Sequence, residues 1–336
     1  MTTSRLTAIA TFQQIFCRKY PKSVFPIEIV GFKLLSAFKN FAHLCSMMFK
    51  GTIPIQNIDE LNGVKLFIQR EDLRHPFISG NKWWKLKYNI EEAKKMRAHT
   101  ILTFGGAFSN HLAATAYAGK ENGFKTIAIV RGEEVENATL HFCKEQGMEL
   151  HFVSREKYKL KQSESGNGIW VIPEGGANEF GMKGCSEILD ARAEEFDYIV
   201  CACGTGNTIS GLIASTLVKQ KILGFPVLKG AEFLQNDISN NLKSIDYKAQ
   251  NWQLIFDYHF GGYAKLNDEL ISFILDFQHR YKIPLDGIYT GKMMYGLFDL
   301  VGKYAFPVGS KILVIHTGGL QGNEGIKERF GVDLTM

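Results

Sequence analysis

From about residue 51 onward the chain alternates short apolar runs with longer stretches whose apolar residues recur every three or four positions. The runs "VKLFIQRE" (Val64–Glu71), "TILTFGG", "KTIAIVRG", "MELHFVS", "YIVCAC" and "KILVIH" are rich in β-branched and aliphatic residues and end at polar or glycine turns. That pattern predicts strands. "KILGFPVLKGAEF" reads as a further one. Between them lie helical patterns. "KLKYNIEEAKKMRAH" places Leu86, Ile90 and Ala93 on one face, and "SNHLAATAYAGKENG" carries a capping Ser109 before it and Gly123 after it. "NATLHFCKEQG", "NEFGMKGCSEILDARAEE" and "NTISGLIAST" also read as helices, whereas "LQNDISNNLKS" (Leu234–Ser244) is polar and reads as a surface connection.

Strands that alternate with helices through short loops predict parallel sheets covered on both faces. Two clusters of such units, near 100–155 and 197–232, point to two α/β domains with a cleft between them.

Composition narrows the function classes. The 336 residues are 45% hydrophobic and 22% charged, ordinary for a chain with a large core. Six cysteines form no CxxC and no metal-ligand spacing, and no HExxH is present, so a reduced compartment and no metal are expected. Residues 1–50 hold seven of the 39 basic residues against one of the 34 acids, which leaves the rest of the chain near neutral. A nucleic-acid role is therefore not expected. No apolar run is long enough for a membrane span, so no membrane role is expected either. The Ser/Thr-rich, basic start "MTTSRLTAIATFQQIF" resembles an organelle transit peptide, and also reads as a partly disordered extension ahead of a body that begins near "TIPIQNI". The expectation is a cytoplasmic protein, with organelle targeting as the alternative.

Two strand-to-helix junctions hold candidate chemistry. After "YIVCAC" come Gly204, Thr205, Gly206, Asn207 and Thr208. Glycines there let the backbone approach a ligand, and a helix start offers free N–H groups to a phosphate. The full GxGxxG spacing and the P-loop lysine are absent, so the readings are a small phosphate handle or an ordinary glycine turn. After "TILTFGG" come Ser109, Asn110 and His111, suited to an anion such as a carboxylate or simply to capping a helix. "SGNKWWKLKYN" adds two lysines, Lys82 and Lys85, three residues apart and separated by Trp83 and Trp84.

Taken in order, "GNKWWKLKYN", "TFGGAFSNH", "CGTGNT", "GGYA", "YTGKMMYGL" and "HTGG" resemble the motifs of one family, over about Ile53 to Phe330. It is the pyridoxal-phosphate-dependent 1-aminocyclopropane-1-carboxylate deaminase and D-cysteine desulfhydrase family, of the tryptophan-synthase-β type. The resemblance implies two three-layer α/β/α domains around a cleft for pyridoxal 5'-phosphate: a larger one from 51–85 and 180–336, a smaller one from 86–179, and an extension over 1–50. It implies that Lys82 bonds the cofactor and removes the substrate's α-proton. Lys85 would be a neighbour at the surface or behind the site. Asn110 would contact the cofactor's ring hydroxyl, and Gly204, Thr205, Gly206, Asn207 and Thr208 its phosphate. Ser109 would hold the substrate carboxylate with His111 beside it, Tyr263 and Tyr289 would stand over the substrate with Tyr289 aiding proton transfer, and Thr290 and Thr317 would lie by the ring nitrogen. A homodimer is implied.

Cyclopropane deaminases of this family carry Glu and Leu where this chain has Thr290 and Thr317. A carboxylate at the ring nitrogen strengthens the cofactor's electron sink, and hydroxyls do so less. The reading is therefore α,β-elimination on a small D-amino acid: D-cysteine to pyruvate, hydrogen sulfide and ammonia. The alternatives are 1-aminocyclopropane-1-carboxylate deamination to 2-oxobutyrate and ammonia, and a non-catalytic pyridoxal-phosphate-binding protein. The chain departs from the family at Phe108, where Gln is usual, and at "KWW", where Lys-x-Arg is usual.

Overall fold

The computed structural model describes residues 52–160, 166, 168–248 and 251–335. The expectations for the first fifty residues lie outside these. In chain order the strands are β1 (Ile55–Leu61), β2 (Val64–Gln69), β3 (Thr100–Gly106), β4 (Lys125–Arg131), β5 (Met148–Val153), β6 (Ile169–Ile172), β7 (Tyr198–Cys203), β8 (Lys221–Pro226), β9 (Trp252–Leu254) and β10 (Lys311–Ile315). The helices are α1 (Asn81–Lys95), α2 (Asn110–Glu121), α3 (Ala138–Glu145), α4 (Arg155–Leu160) and α5 (Glu179–Cys185). They continue with α6 (Asn207–Ser215), α7 (Phe233–Lys243), α8 (Asp268–Tyr281), α9 (Thr290–Gly302) and α10 (Gly322–Phe330).

A six-stranded sheet runs β1-β2-β10-β7-β8-β9 and a four-stranded one runs β5-β4-β3-β6. All described pairings are parallel except β1 with β2. Strand periodicity then places alternate residues on opposite faces. In β10, Ile312 and Val314 join a core with Leu270, Ile274 and Leu297 of α8 and α9, while Leu313 and Ile315 join a second core with Ile209, Leu212, Leu234 and Trp84. Both faces of the sheet are thus covered, which is why its strands read as unbroken apolar runs.

Three elements differ from the sequence reading. Residues 234–244 are not a surface connection: all but the capping Ser244 lie in α7, whose Leu234, Ile238 and Leu242 recur every fourth position and are buried. Asn, Ser and Asp fill its exposed face and hid the period. The long helix over "NEFGMKGCSEILDARAEE" stops at Cys185, and a separate 3-10 turn at Ala191–Glu195 starts under Asp190, which accepts from the Arg192 N–H. Only Lys221–Pro226 of "KILGFPVLKGAEF" is a strand.

Trp84 is buried and its Nε1–H donates to the fully buried Glu71 carboxylate at 2.8 Å, while Arg74 lies 4.6 Å over its ring. Trp83 stacks on His75 at 5.4 Å. The tryptophan pair therefore seats the start of α1 from both sides, one ring against the large sheet's core and one toward the small sheet.

Candidate active site

The carboxyl ends of parallel strands and the helices that follow them converge on one cavity of about 1670 Å³. This is the crevice where open α/β sheets bind ligands. Lys82 comes from the first turn of α1, Ser109 to His111 from the turn after β3, Gly204 to Thr208 from the turn after β7, Thr317 to Gly319 from the end of β10, and Tyr289 from the start of α9.

Lys82 lies deep, its Nζ bonded to Asn81 Oδ1 at 3.1 Å. Burial, and next the positive charge of Lys85, lower its pKa to about 7. A charged ammonium is costly away from water, so half of this lysine is a neutral amine near pH 7. Lys85, expected at the surface or behind the site, is 2% exposed and lines the cavity. Its Nζ donates to the Gly175 carbonyl at 2.9 Å and to Thr205 Oγ1 at 3.4 Å. A spacing of three on α1 puts both lysines on one face, but sequence alone could not show that the face is covered by α5 and the 174–176 turn.

Gly206 has φ 72° and caps α6, whose first N–H groups have no acceptor within the helix. Asn81 Nδ2 donates to Thr208 Oγ1 at 2.8 Å, tying the lysine-bearing helix to this turn. Asn207 alone of these five does not line the cavity; its Nδ2 donates to the Asn178 carbonyl at 2.9 Å and its buried Oδ1 has no partner. The Tyr289 ring packs so close to the turn that a Cβ at Gly204 would lie 3.2 Å from its Cε1.

On the opposite wall, Ser109 Oγ accepts from the His111 and Leu112 N–H groups, so it caps α2 while it lines the cavity. Asn110 Nδ2 donates to the Gly319 carbonyl at 3.3 Å and its buried Oδ1 has no partner. His111 Nε2 lies 2.9 Å from Thr103 Oγ1, whose own hydrogen goes to the Ile172 carbonyl. Nε2 is thus the protonated nitrogen, and Nδ1 is buried without a partner. Burial and then the two lysines hold His111 well below its usual pKa, so the ring is neutral.

The ring-nitrogen pair separates. Thr317 lines the cavity, but Thr290 is fully buried and does not line it. Thr290 Oγ1 donates to Asp286 Oδ2 at 2.6 Å and accepts from the Asp286 N–H at 2.9 Å. The buried Asp286 carboxylate also accepts from the N–H groups of Ile288, Tyr289 and Thr290, which caps α9 and holds Tyr289 in place. Sequence reasoning missed Asp286; an Asp four residues before the helical Thr290 was the available signal. Tyr263 lines the cavity mouth with its ring 6.0 Å from that of Tyr289 at 74°. Burial holds the Tyr289 phenol well above its usual pKa, which leaves it a neutral donor.

The chemistry of the donor set fits a phosphorylated aldehyde on a polar ring. An amine with a lowered pKa suits the aldehyde, a glycine turn with free N–H groups beside the Lys85 ammonium suits the phosphate, and the orphaned Asn110 Oδ1 suits a ring hydroxyl. Among the described residues no group of His, Cys, Asp and Glu is arranged to hold a metal ion. No helix among them is long and apolar enough to cross a membrane.

Fold and site together define a pyridoxal-phosphate-dependent enzyme of the tryptophan-synthase-β type, and the model of the family described as pyridoxal-phosphate dependent enzymes matches residues 49–318. Among the relatives is the bifunctional D-cysteine desulfhydrase/1-aminocyclopropane-1-carboxylate deaminase, mitochondrial, of Arabidopsis thaliana, 32% identical over 84% of this chain and 78% of its own length. The D-cysteine desulfhydrase of Serratia proteamaculans is 28% identical over 79% and 91%. A crystal structure of a homologue of 1-aminocyclopropane-1-carboxylate deaminase superposes with a TM-score of 0.73, at 32% identity, over 83% of this chain and 93% of that one. The chain belongs to the pyridoxal-phosphate-dependent 1-aminocyclopropane-1-carboxylate deaminase and D-cysteine desulfhydrase family.

Proposed function

We propose that this chain catalyses α,β-elimination on D-cysteine or a close D-amino acid, with water converting the product to pyruvate and ammonia as hydrogen sulfide leaves. The observation that carries the reading is the buried Lys82 amine, held at a pKa of about 7 in the cavity that Ser109 and Tyr289 also line. The choice of elimination over ring opening rests on the wall that Thr317 lines, where the cyclopropane deaminases carry a leucine, and on position 290 sending no carboxylate into the cavity, its threonine being buried behind the wall. The D configuration rests on the names of the relatives.

When bound, the cofactor withdraws electrons from the substrate's α-carbon. Lys82 would hold it covalently through Nζ, and the N–H groups of residues 204–208 with the Lys85 ammonium would hold its phosphate. Asn110 Oδ1 would accept from its ring hydroxyl, and Thr317 would serve its ring nitrogen. The Ser109–Asn110 turn would receive the substrate carboxylate at the positive end of the α2 dipole. Lys82, as a neutral amine, would be the base that takes the α-proton. The neutral Tyr289 phenol would donate its proton to the departing hydrosulfide, so that it leaves as hydrogen sulfide.

A substrate panel tests the reading. Pyruvate and sulfide should appear in equal amounts from D-cysteine, at a kcat/KM at least about tenfold above that for L-cysteine or D-serine. Release of 2-oxobutyrate from 1-aminocyclopropane-1-carboxylate at the greater kcat/KM would reverse the assignment. The structure offers that second reading one support, the Asp286 carboxylate directly behind Thr290.

Cofactor loading should show the lysine pair directly. Attack on an aldehyde needs the neutral Lys82 amine, so the loading rate of the cofactor-free protein should rise with pH through about 7 and then level off. Lys85→Met removes the positive neighbour that helps lower that pKa, so the midpoint should move upward. The same variant should also bind pyridoxal phosphate more weakly by about tenfold or more, the worth of one charge-assisted hydrogen bond. Stopped-flow absorbance across pH checks both.

A further inference from the structure

Lys292 belongs to no part of the reaction described above, yet it is one of the most deeply buried cations in the described residues. It lies three residues after Tyr289 on α9 and is 1% exposed. Its ammonium donates to the carbonyl oxygens of His259 at 2.9 Å and Gly262 at 2.6 Å. Burial lowers its pKa to about 8, and the Asp286 charge acts the other way.

The segment it grips is neither helix nor strand, and its backbone is strained. Phe260 and Ala264 have φ of 52° and 51°, and Gly261 and Gly262 have 87° and 119°. Two of these are side-chain-bearing residues in the left-handed region, which costs on the order of 1 kcal/mol each. Local bonds from the Gly262 N–H to the His259 carbonyl and from the Gly261 N–H to His259 Nδ1 close the turn, but they do not attach it to the site. Phe260 is attached through its ring to Tyr295 at 4.9 Å. The next side chain in the turn that reaches the site is Tyr263, which is 43% exposed and lines the cavity mouth against Tyr289. A purely structural contact at this place needs no charge: burying an ammonium is costly, and an apolar side chain of similar length would fill the space more cheaply.

We propose that Lys292 is a positioning residue for substrate binding: by gripping the His259 and Gly262 carbonyls it fixes the 259–262 turn to the first turn of α9, so that Tyr263 and Tyr289 form one wall of the substrate cavity. This rests on the reading that the two tyrosines face the substrate. Tyr289 is held from the other side by the Asp286 cap, so Lys292 acts mainly on Tyr263.

The test uses the cofactor-loaded enzyme with D-cysteine, and Lys292→Met, Lys292→Gln, Tyr263→Ala and the Lys292→Met/Tyr263→Ala double variant. In Lys292→Met, KM should rise by about tenfold with kcat within about threefold, and the double variant should be no worse than Tyr263→Ala, because both changes act through one side chain. Amide exchange over 259–264 should quicken by about tenfold or more while the rest of the protein exchanges as before. Lys292→Gln keeps a donor without the charge and should fall between parent and Lys292→Met in both readouts, which keeps the test decisive if the methionine variant folds poorly. A raised KM in Tyr263→Ala together with parental KM and exchange in the Lys292 variants would overturn the proposal alone. A parental KM in Tyr263→Ala would overturn the reading of that tyrosine, and the positioning role with it.

Discussion

Lys82→Ala should stay colourless when mixed with pyridoxal phosphate and should lose about 10³-fold or more in turnover, the scale expected when a positioned base is removed. Two functions disappear with one side chain, the covalent hold on the cofactor and the group that takes the α-proton. The loss should not be one of folding. Lys82 Nζ makes a single hydrogen bond, to Asn81 Oδ1, and its charged form is already disfavoured by burial. Removing such an amine beside an open cavity leaves room for water and no unpaired carboxylate, so Tm should stay within a few degrees of the parent. An absorbance scan with added cofactor, read beside a melting curve, checks the pair of expectations. Retained yellow colour and turnover in Lys82→Ala would pass the role to Lys85, which lies in the same cavity.

The second large effect is on stability. Gly80→Ala should destabilise the protein by about 3 kcal/mol or more, because a small-to-large change against immovable atoms adds to backbone strain. Gly80 has φ 63° and ψ −137°, a region that side-chain-bearing residues rarely enter. An added Cβ would lie 1.9 Å from the Thr317 carbonyl oxygen and 2.6 Å from the Gly318 nitrogen. These are backbone atoms at the end of β10, held by bonds from the Gly80 N–H to the Glu71 carbonyl and from the Asn81 N–H to the Thr317 carbonyl. They cannot rotate aside as a side chain would. Lys82 and Thr317 would be pushed apart, so cofactor binding should weaken along with a Tm drop of roughly 5–10 °C. Gly123→Ala is the control: its φ is also positive, at 76°, but nothing lies within 4 Å of an added Cβ. It should cost only about 1 kcal/mol. Equal losses in the two variants would show that strain alone, and not the collision with β10, governs position 80.

The periodic elements of this fold are legible in its sequence wherever one face is consistently apolar. The strands β3, β4, β5, β7 and β10 and the helices α1 and α2 lie where the pattern puts them, down to Ser109 as the cap of α2. The helix α7 was hidden because three leucine and isoleucine positions are diluted by Asn, Ser and Asp, whose preference is for turns. The break after Cys185 follows from packing. A Cβ at Gly184 would lie 1.8 Å from the Trp84 carbonyl oxygen, so α5 is shaped by its close crossing with α1.

For the site, the order of motifs along the chain was enough to determine the family and the cofactor, because those depend on residue types at turns that follow strands. Which side chains meet was decided by tertiary structure. Two residues that looked alike in sequence, Thr290 and Thr317, are sent to different places, one under the Asp286 carboxylate and one onto the cavity wall. Lys82 and Lys85 looked like one active and one idle lysine; packing against α5 and the 174–176 turn buries Lys85 beside the half-buried Lys82, and its charge helps set the amine chemistry of the first. Trp83 and Trp84, unreadable in one dimension, divide between His75 on one side and Glu71 with Arg74 on the other. The physical reason is the same in each case. Periodicity and turn chemistry are local and leave a trace in sequence, whereas burial, charge pairing and the pKa values they set depend on how whole elements pack, even where the paired residues stand only a few positions apart.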